Sequence, residues 1–227
     1  MLIHIKFMLF HLAESWRRLK LGIYPARSAA IESIAVQPEP TTLRMFFALW
    51  PNAAVATELA KAGKALHEVC GGRLTRAETI HLTLAFLGEV ELEKVDYLIK
   101  LAGYVRAHAF SLNLTRLGWW PRNHIVWAAP DEAPAELALL VDDLRLNLGC
   151  AAVDFDAKPF VPHITLLRKG NCKDNPLPSV DVKWRAEDFV LVKSVSSGSG
   201  AAYEVVGRWP LLQGNEFPAM GVVKLDK

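Results

Sequence analysis

A tetrapeptide of the form His-apolar-Thr-apolar occurs twice in this chain, as HLTL beginning at His81 and as HITL beginning at His163. Each copy lies in a short apolar run that is typical of a β-strand. Because side chains alternate between the two faces of a strand, His81 and Thr83 project from one face, as do His163 and Thr165. The repeat therefore predicts two strands that bury aliphatic side chains on one face and present an imidazole and a hydroxyl on the other.

Two such polar faces, meeting across a groove, would form a set of groups suited to a phosphodiester. Imidazole has an unperturbed pKa of about 6.5, so one histidine can accept a proton while the other donates one. A threonine hydroxyl can donate a hydrogen bond to a phosphate oxygen. A single strand histidine is more often a structural residue, but two copies in the same context favour proton transfer.

The rest of the sequence predicts an α+β fold with largely antiparallel sheets, because short strands outnumber helices and do not alternate with them regularly. Helical spacing predicts helices over 52–70, 91–106 and 133–148. Apolar runs bounded by turn residues predict strands over 44–51, 81–88, 110–120, 124–130, 163–167, 188–194 and 203–211. Four tryptophans on these strands could stack on bases, but they are interpreted as core residues, as is usual for tryptophan on short strands: Trp119, Trp120, Trp127 and Trp209.

Composition excludes several classes of protein. Hydrophobic residues make up 52% and charged residues 22% of the chain, which indicates a packed core rather than a disordered polypeptide. The formal net charge of +2 excludes a large basic surface for long duplexes, but it allows a local pocket for one or two phosphates. No run approaches the roughly 20 apolar residues that a membrane-spanning helix needs, so no membrane association is predicted.

The cysteines predict neither a disulfide nor a metal site. Cys70, Cys150 and Cys172 are odd in number and form no Cys-x-x-Cys pair. This pattern is typical of small apolar residues in a reducing compartment, so a cytoplasmic location is predicted.

The chain divides into three segments by composition. Residues 1–42 end in the linker-like stretch AVQPEPTT and are predicted to be an N-terminal extension, flexible or partly helical. Residues 43–215 are predicted to form the folded domain, and residues 216–227 a C-terminal tail. No function is predicted for the extension.

Both motifs and the segments around them resemble those of a known family. The chain resembles the two-histidine phosphoesterases, and within them the bacterial and archaeal RNA 2′,3′-cyclic phosphodiesterases, long described as 2′-5′ RNA ligases. The resemblance is carried by RMFFALWP (44–51), HLTLAFLGEV (81–90), RLGWWPR (116–122), PHITLLRKG (162–170), DFVLVKS (188–194) and YEVVGRWPL (203–211). It implies a bilobal α+β fold, with two antiparallel-rich sheets, flanking helices and pseudo-twofold symmetry around a central groove.

The resemblance also implies an activity and the residues that carry it. The activity is metal-independent hydrolysis of an RNA 2′,3′-cyclic phosphate end to a 2′-phosphate. By motif position, His81 would be the general acid on the O3′ leaving group and His163 the general base on water. Thr83 and Thr165 would bind phosphate oxygens. The two motifs are nearly equivalent, and the reverse reaction would exchange the roles of the two histidines.

Two further residues are implied by their position after the histidines. Arg168 follows His163 by five residues, so strand alternation alone would place it on the opposite face. It would reach the phosphate from the end of the strand or through a bulge. Phe86, five residues after His81, occupies a position that resembles the one stacking on the terminal nucleobase.

Alternatives remain open beside this hydrolase. The same pocket could run the reverse reaction, 2′-5′ RNA ligation, or it could bind RNA ends without chemistry. A zinc site is disfavoured because no third ligand recurs with the two histidines. No cofactor and no metal are therefore predicted. The resemblance implies RNA with a 2′,3′-cyclic phosphate end as the partner, such as tRNA fragments or short oligonucleotides, and a monomer is expected.

Overall fold

Strands dominate the structure, a computed structural model that describes residues 41–173, 176–197 and 200–214. Its α-helices are α1 (Ala53–Cys70), α2 (Val95–Ala102) and α3 (Ala135–Cys150). The strands are β1 (Thr42–Leu49), β2 (Arg73–Leu74), β3 (Leu82–Glu91), β4 (Phe110–Trp120), β5 (Ile125–Pro130), β6 (Ile164–Arg168), β7 (Val182–Ala186), β8 (Asp188–Ser197) and β9 (Gly200–Pro210). Short 3-10 helices cover Ala77–Thr79 and Leu92–Lys94.

The strands pair in the order β7-β4-β5-β6-β3-β1-β8-β9, and β2 adds to β6 outside this path. The motif strands β3 and β6 are neighbours at its centre, joined antiparallel through the pair Leu82 and Ile164. Outward from this junction, each motif strand leads to three further strands. The α+β class is confirmed, and this arrangement agrees with two related halves. The two predicted sheets are joined into one strand order at the junction.

The aliphatic faces of both motifs lie in the main core, as the alternation predicts. Leu82, Leu84, Ile164 and Leu166 are each at most 1% exposed. They belong to the large apolar cluster to which α1 and α3 also contribute their buried faces. Burying an aliphatic side chain stabilises a fold by about 1.5–3 kcal/mol, so this face fixes which side of each strand meets the groove.

Helix α1 is held at both ends by local chemistry. The Asn52 side chain accepts a hydrogen bond from the Val55 amide at 3.0 Å, which satisfies one of the free N–H groups at the helix start. Gly71 ends the helix with φ 60, and its amide donates to the His67 carbonyl at 2.8 Å. The helix therefore delivers the chain to β2, beside the second motif strand.

A smaller apolar cluster lies on the face of strands β1 and β8 that points away from the main core. Met45, Phe47 and Leu49 belong to the main core, whereas Phe46 and Ala48 belong to the second cluster. Strand β1 is thus buried on both faces, which explains its continuous apolar run. The second cluster is completed by Val190 and Val192, with Trp50, Phe86 and Tyr203 packed against it.

Several element boundaries differ from the sequence prediction. The predicted helix over 91–106 is a 3-10 turn followed by the eight-residue α2, which ends at Ala102. Strand β7, with the sequence VKWRA, was not predicted, because its outward lysine and arginine hide a short alternating pattern. The extension predicted over 1–42 lies outside the described residues up to residue 40, and the tail predicted over 216–227 lies wholly outside them.

The expectation of unpaired cysteines is wrong for two of the three. Cys70, the last residue of α1, forms a disulfide with Cys172, and only Cys150 is a free cysteine among the described residues. The pairing of β2 with β6 brings the two segments together, and the Asn171 amide donates to the Cys70 carbonyl at 2.8 Å. The partners are 102 residues apart, so no local pattern could reveal the bond.

In the described part of the chain, no helix is long and apolar enough to cross a membrane.

Candidate active site

The two motifs meet at one pocket of about 210 Å³. Among the residues that the structure describes, no aspartate or glutamate lines it, and Arg168 supplies a positive charge. Its lining is Thr75, His81, Thr83, Trp120, Asn123, Ile125, His163, Thr165 and Arg168. A pocket rich in hydrogen-bond donors and free of carboxylates is suited to an anion.

The register at the junction sets how the motifs face each other. Leu82 lies opposite Ile164 in an antiparallel pair. The neighbouring positions in that register bring His81 towards Thr165, and Thr83 towards His163. The register therefore places each threonine across the junction from the histidine of the other motif.

A bulge after each threonine changes the strand alternation. Strand β6 pairs Thr165 with Trp127 and Leu167 with Val126, so Leu166 is skipped in the register with β5. Leu166 and Leu167 are both buried, and Arg168 returns to the pocket side, where it lines the pocket. The first motif repeats this geometry, since β3 skips Leu84 in its register with β1.

Phe86 occupies the position in β3 that corresponds to Arg168 in β6, but it does not line the pocket. Its side chain packs against the second apolar cluster. The Arg44 guanidinium lies over its ring, 4.9 Å from the centroid. A base stacking on that ring face would have to displace Arg44, so base stacking by Phe86 stays a prediction.

Both histidines are anchored through the same ring nitrogen. His81 Nδ1 lies 2.7 Å from the Thr79 carbonyl oxygen, and His163 Nδ1 lies 2.8 Å from the Val161 carbonyl oxygen. A carbonyl only accepts, so each Nδ1 carries a hydrogen and donates it. In the neutral imidazole, Nε2 is then the nitrogen with a free lone pair, ready to accept a proton.

Burial makes both imidazoles reluctant to carry charge. It lowers the pKa of His81 from 6.5 to about 4, against a smaller raising effect of the Thr79 hydrogen bond, while Arg168 and His163 lower it further. Burial also lowers the pKa of His163, the Val161 hydrogen bond raises it, and Arg168 adds to the lowering. Both side chains are therefore neutral in the free protein near pH 7.

Aromatic side chains surround His81 on several sides. Trp50 stacks on the imidazole with a centroid distance of 5.3 Å and an interplanar angle of 5°. Phe46 lies at 4.9 Å, and Tyr203 meets the ring edge-on at 5.3 Å. Trp120 contacts His163 edge-on at 4.6 Å. These rings cover part of each imidazole and restrict the planes that the two rings can adopt.

Sequence reasoning missed several residues of this site. Trp50 directly follows β1 and Tyr203 lies in β9, far along the chain, so neither carries a local signal. Trp120 was interpreted as a core residue, yet it lines the pocket beside His163. Thr75 and Asn123 lie in connecting segments and were not singled out. Within the described residues, no group of three or more His, Cys, Asp or Glu side chains could hold a metal ion.

Comparison with known proteins identifies the class. The family model described as LigT-like phosphoesterase matches residues 49–127, a range that includes the first motif. The solved structure of Escherichia coli LigT complexed with 3′-AMP is similar, with a TM-score of 0.69 at 33% identity. The match covers 76% of this chain and 99% of that one. The fold is that of a two-histidine phosphoesterase.

Two curated relatives define the family more closely. An RNA 2′,3′-cyclic phosphodiesterase from Escherichia coli is 33% identical over 171 residues, which cover 75% of this chain and 97% of the relative. A protein of the same description from Thermus thermophilus is 33% identical, over 74% of this chain and 90% of the relative. The chain belongs to this family of LigT-like phosphoesterases, as its resemblance in sequence predicted.

Proposed function

We propose that this protein hydrolyses RNA 2′,3′-cyclic phosphate ends to 2′-phosphomonoesters, with His81 and His163 as a metal-independent proton-transfer pair. The observation that carries the proposal is the equivalent setting of the two imidazoles. Both line one pocket whose described residues include no carboxylate, and both direct Nδ1 to the backbone, which leaves Nε2 for the substrate. The relatives described as RNA 2′,3′-cyclic phosphodiesterases support the choice of substrate.

The reaction needs two proton transfers and one stabilised phosphoryl group. His163 Nε2 takes a proton from water as the water oxygen attacks phosphorus. The bond between phosphorus and O3′ breaks, and His81 Nε2 donates a proton to O3′, which leaves the phosphate on O2′. The hydroxyls of Thr83 and Thr165 and the Arg168 guanidinium bind the non-bridging oxygens, where negative charge is concentrated.

The assignment of His81 as the acid places a condition on the bound state. A pKa of about 4 makes His81 neutral in the free protein, and a neutral imidazole cannot donate from Nε2. The anionic cyclic phosphate must therefore raise the pKa of His81 when it binds, since a nearby opposite charge favours the protonated form. The reverse assignment, with His81 as base, needs no such shift in His81.

The first experiment measures release of 2′-phosphate from a short RNA that ends in a 2′,3′-cyclic phosphate, with a chelator present. His81→Ala and His163→Ala should each lower turnover by at least about 10²-fold, because each removes a general acid or base. His67→Ala, on the exposed side of α1, is the matched control and should keep wild-type turnover. Full activity in either pocket variant, or wild-type activity that the chelator abolishes, would contradict the proposal.

A second substrate separates the acid from the base. A phosphodiester with a nitrophenolate leaving group needs no proton on departure, so loss of the acid should matter little there. If His81 is the acid, His81→Ala should hydrolyse this substrate nearly as fast as the wild type, whereas His163→Ala should remain slow. The opposite pattern would assign the base to His81.

The alternatives give different results in the same assays. A 2′-5′ ligase would join an end bearing a 2′,3′-cyclic phosphate to a 5′-hydroxyl, through the same two histidines in reverse. A binding module would retain RNA ends with no turnover to lose. Short oligonucleotides and tRNA fragments are the proposed substrates, whereas the monomeric state and the cytoplasmic location stay predictions from the sequence.

A further inference from the structure

One hydroxyl of the pocket has no role in the two motifs. Thr75 lines the same pocket as His163 and Thr165, and the residue itself is partly exposed. Its Oγ1 atom, however, is buried and has no hydrogen-bond partner within the described residues. Buried polar atoms are nearly always satisfied in proteins, so an unpaired one at a pocket wall calls for an explanation.

The backbone holds Thr75 against the second motif strand. β2 pairs with β6 through Leu74 and Leu167, and the Thr75 amide donates to the Leu166 carbonyl at 2.9 Å. The backbone of Thr75 is therefore held next to the segment from Thr165 to Arg168, at the pocket wall. Rotation about its Cα–Cβ bond, between staggered positions, is the freedom that remains to the hydroxyl.

The same side of the pocket is unusually rich in donors. Arg168 and Thr165 lie there, and Asn123 Oδ1 accepts from the Ile125 amide at 3.3 Å, which leaves the Asn123 NH₂ group available to a ligand. These groups have the chemistry of a phosphoryl site rather than of a base site. An anion bound to Thr165 and Arg168 would bring oxygens to the wall that Thr75 forms.

We propose that Thr75 is a substrate-contacting residue, whose hydroxyl turns into the pocket and donates to a non-bridging oxygen of the phosphate held by Thr165 and Arg168. This inference rests on the proposed function and adds a third hydroxyl to the phosphate site. The hydroxyl is already removed from water in the free protein, so bonding to the anion satisfies it without further loss of hydration.

An isosteric pair of variants tests the proposal. Thr75→Val removes the hydroxyl and keeps the shape, and Thr115→Val does the same for a buried, unpaired hydroxyl on β4 that does not line the pocket. Thr75→Val should lower kcat/KM for a 2′,3′-cyclic nucleotide about 10-fold or more, as expected for a hydrogen bond to an anion. Its Tm should equal or exceed the wild-type value, because an unsatisfied buried group has been removed.

Thr115→Val should have the kcat/KM of the wild type. Thr75→Ser should keep most of the wild-type kcat/KM, because serine retains the hydroxyl. A Thr75→Val protein with wild-type kcat/KM and a raised Tm would overturn the inference, since the threonine would then be only an unsatisfied packing residue. Thr75→Ala replaces Thr75→Val should the latter fail to fold.

A binding measurement keeps this test independent of turnover. The rise in Tm caused by inorganic phosphate reports anion binding to the folded state, whether or not the cyclic phosphate is the substrate. Thr75→Val should show a smaller rise than the wild type, and Thr115→Val an equal rise. If the wild type is inert on cyclic phosphates, the proposed function fails, while an equal phosphate response in Thr75→Val and wild type would refute the role of Thr75.

Discussion

The burial of His81 makes the stability of this fold sensitive to acid through one side chain. Trp50 stacks on the imidazole and Phe46 packs beside it, so the charged form loses its hydration. Burial lowers the pKa of His81 in the folded state to about 4, from its ordinary value of 6.5. Between these two pH values the unfolded chain binds a proton at His81 that the folded protein does not. Stability therefore falls as the pH is lowered through this range.

The size of the effect follows from the two pKa values. Each pKa unit corresponds to about 1.4 kcal/mol of differential interaction, so a decrease from 6.5 to about 4 corresponds to about 3 kcal/mol. Above pH 6.5, His81 is neutral in both the folded and the unfolded state, so it lowers the stability in neither. The loss begins below that pH and is complete near pH 4. It is a large fraction of the stability of an ordinary domain, which is about 5–15 kcal/mol.

Urea unfolding of the wild type and of His81→Gln, at intervals from about pH 8 to about pH 4.5, isolates this contribution. Glutamine does not titrate, so the variant lacks the acid-dependent loss even if its packing is worse at every pH. The free-energy gap between the two proteins should shift in favour of the variant by about 2–3 kcal/mol as the pH falls. A free-energy gap that stays constant with pH would show that His81 has the same pKa in the folded and the unfolded state. Burial would then not lower the pKa of His81.

Three further changes test the geometry of the pocket. Arg168→Gln should lower kcat/KM about 10- to 100-fold, because a charge-assisted hydrogen bond contributes about 1.5–3 kcal/mol. Its pH–rate profile should shift to higher pH, since Arg168 lowers the pKa of both pocket histidines. An unmoved profile in steady-state kinetics would speak against this. Gly72→Ala should reduce both Tm and activity, because a Cβ there, at φ +87, would lie 2.7 Å from the Arg168 carbonyl oxygen. Gly71→Ala, at φ +60 with nothing within 4 Å, carries backbone strain alone and should keep its activity, so equal activity loss in both would contradict the contact argument. Reducing the bond between Cys70 and Cys172 should lower the free energy of unfolding by about 2–4 kcal/mol in urea titrations with and without reductant, and no change would mean that the bond does not constrain the unfolded chain.

The amino-acid sequence alone was sufficient to select the two motifs and their faces. His81 and Thr83 share one side of β3 because strand alternation has a period of two residues, and the burial of Leu82 and Leu84 agrees with it. The α+β class followed in the same way from the number and spacing of apolar runs. Strand alternation and each apolar run are local properties, which can be determined within a window of a few residues. The fold class then follows from the order of these runs along the chain.

Local pattern was insufficient wherever a partner strand decides the geometry. Arg168 reaches the pocket because β6 skips Leu166 against β5, and a bulge depends on the register of two strands rather than on one. The contact of Phe86, at the corresponding position in β3, with the Arg44 guanidinium likewise depends on the neighbouring strand β1, while its stacking on a base stays a prediction from the resemblance.

Long-range packing decided the remaining features of the site. Tyr203 reaches His81 from β9, and the Cys70–Cys172 bond joins segments that only the pairing of β2 with β6 brings together. Thr75 becomes part of the pocket through that same pairing. The sequence by itself thus determined which residue types each strand presents, because alternation is local. The tertiary structure decided which of them meet, because contacts between distant segments depend on strand register and on the burial of the whole core.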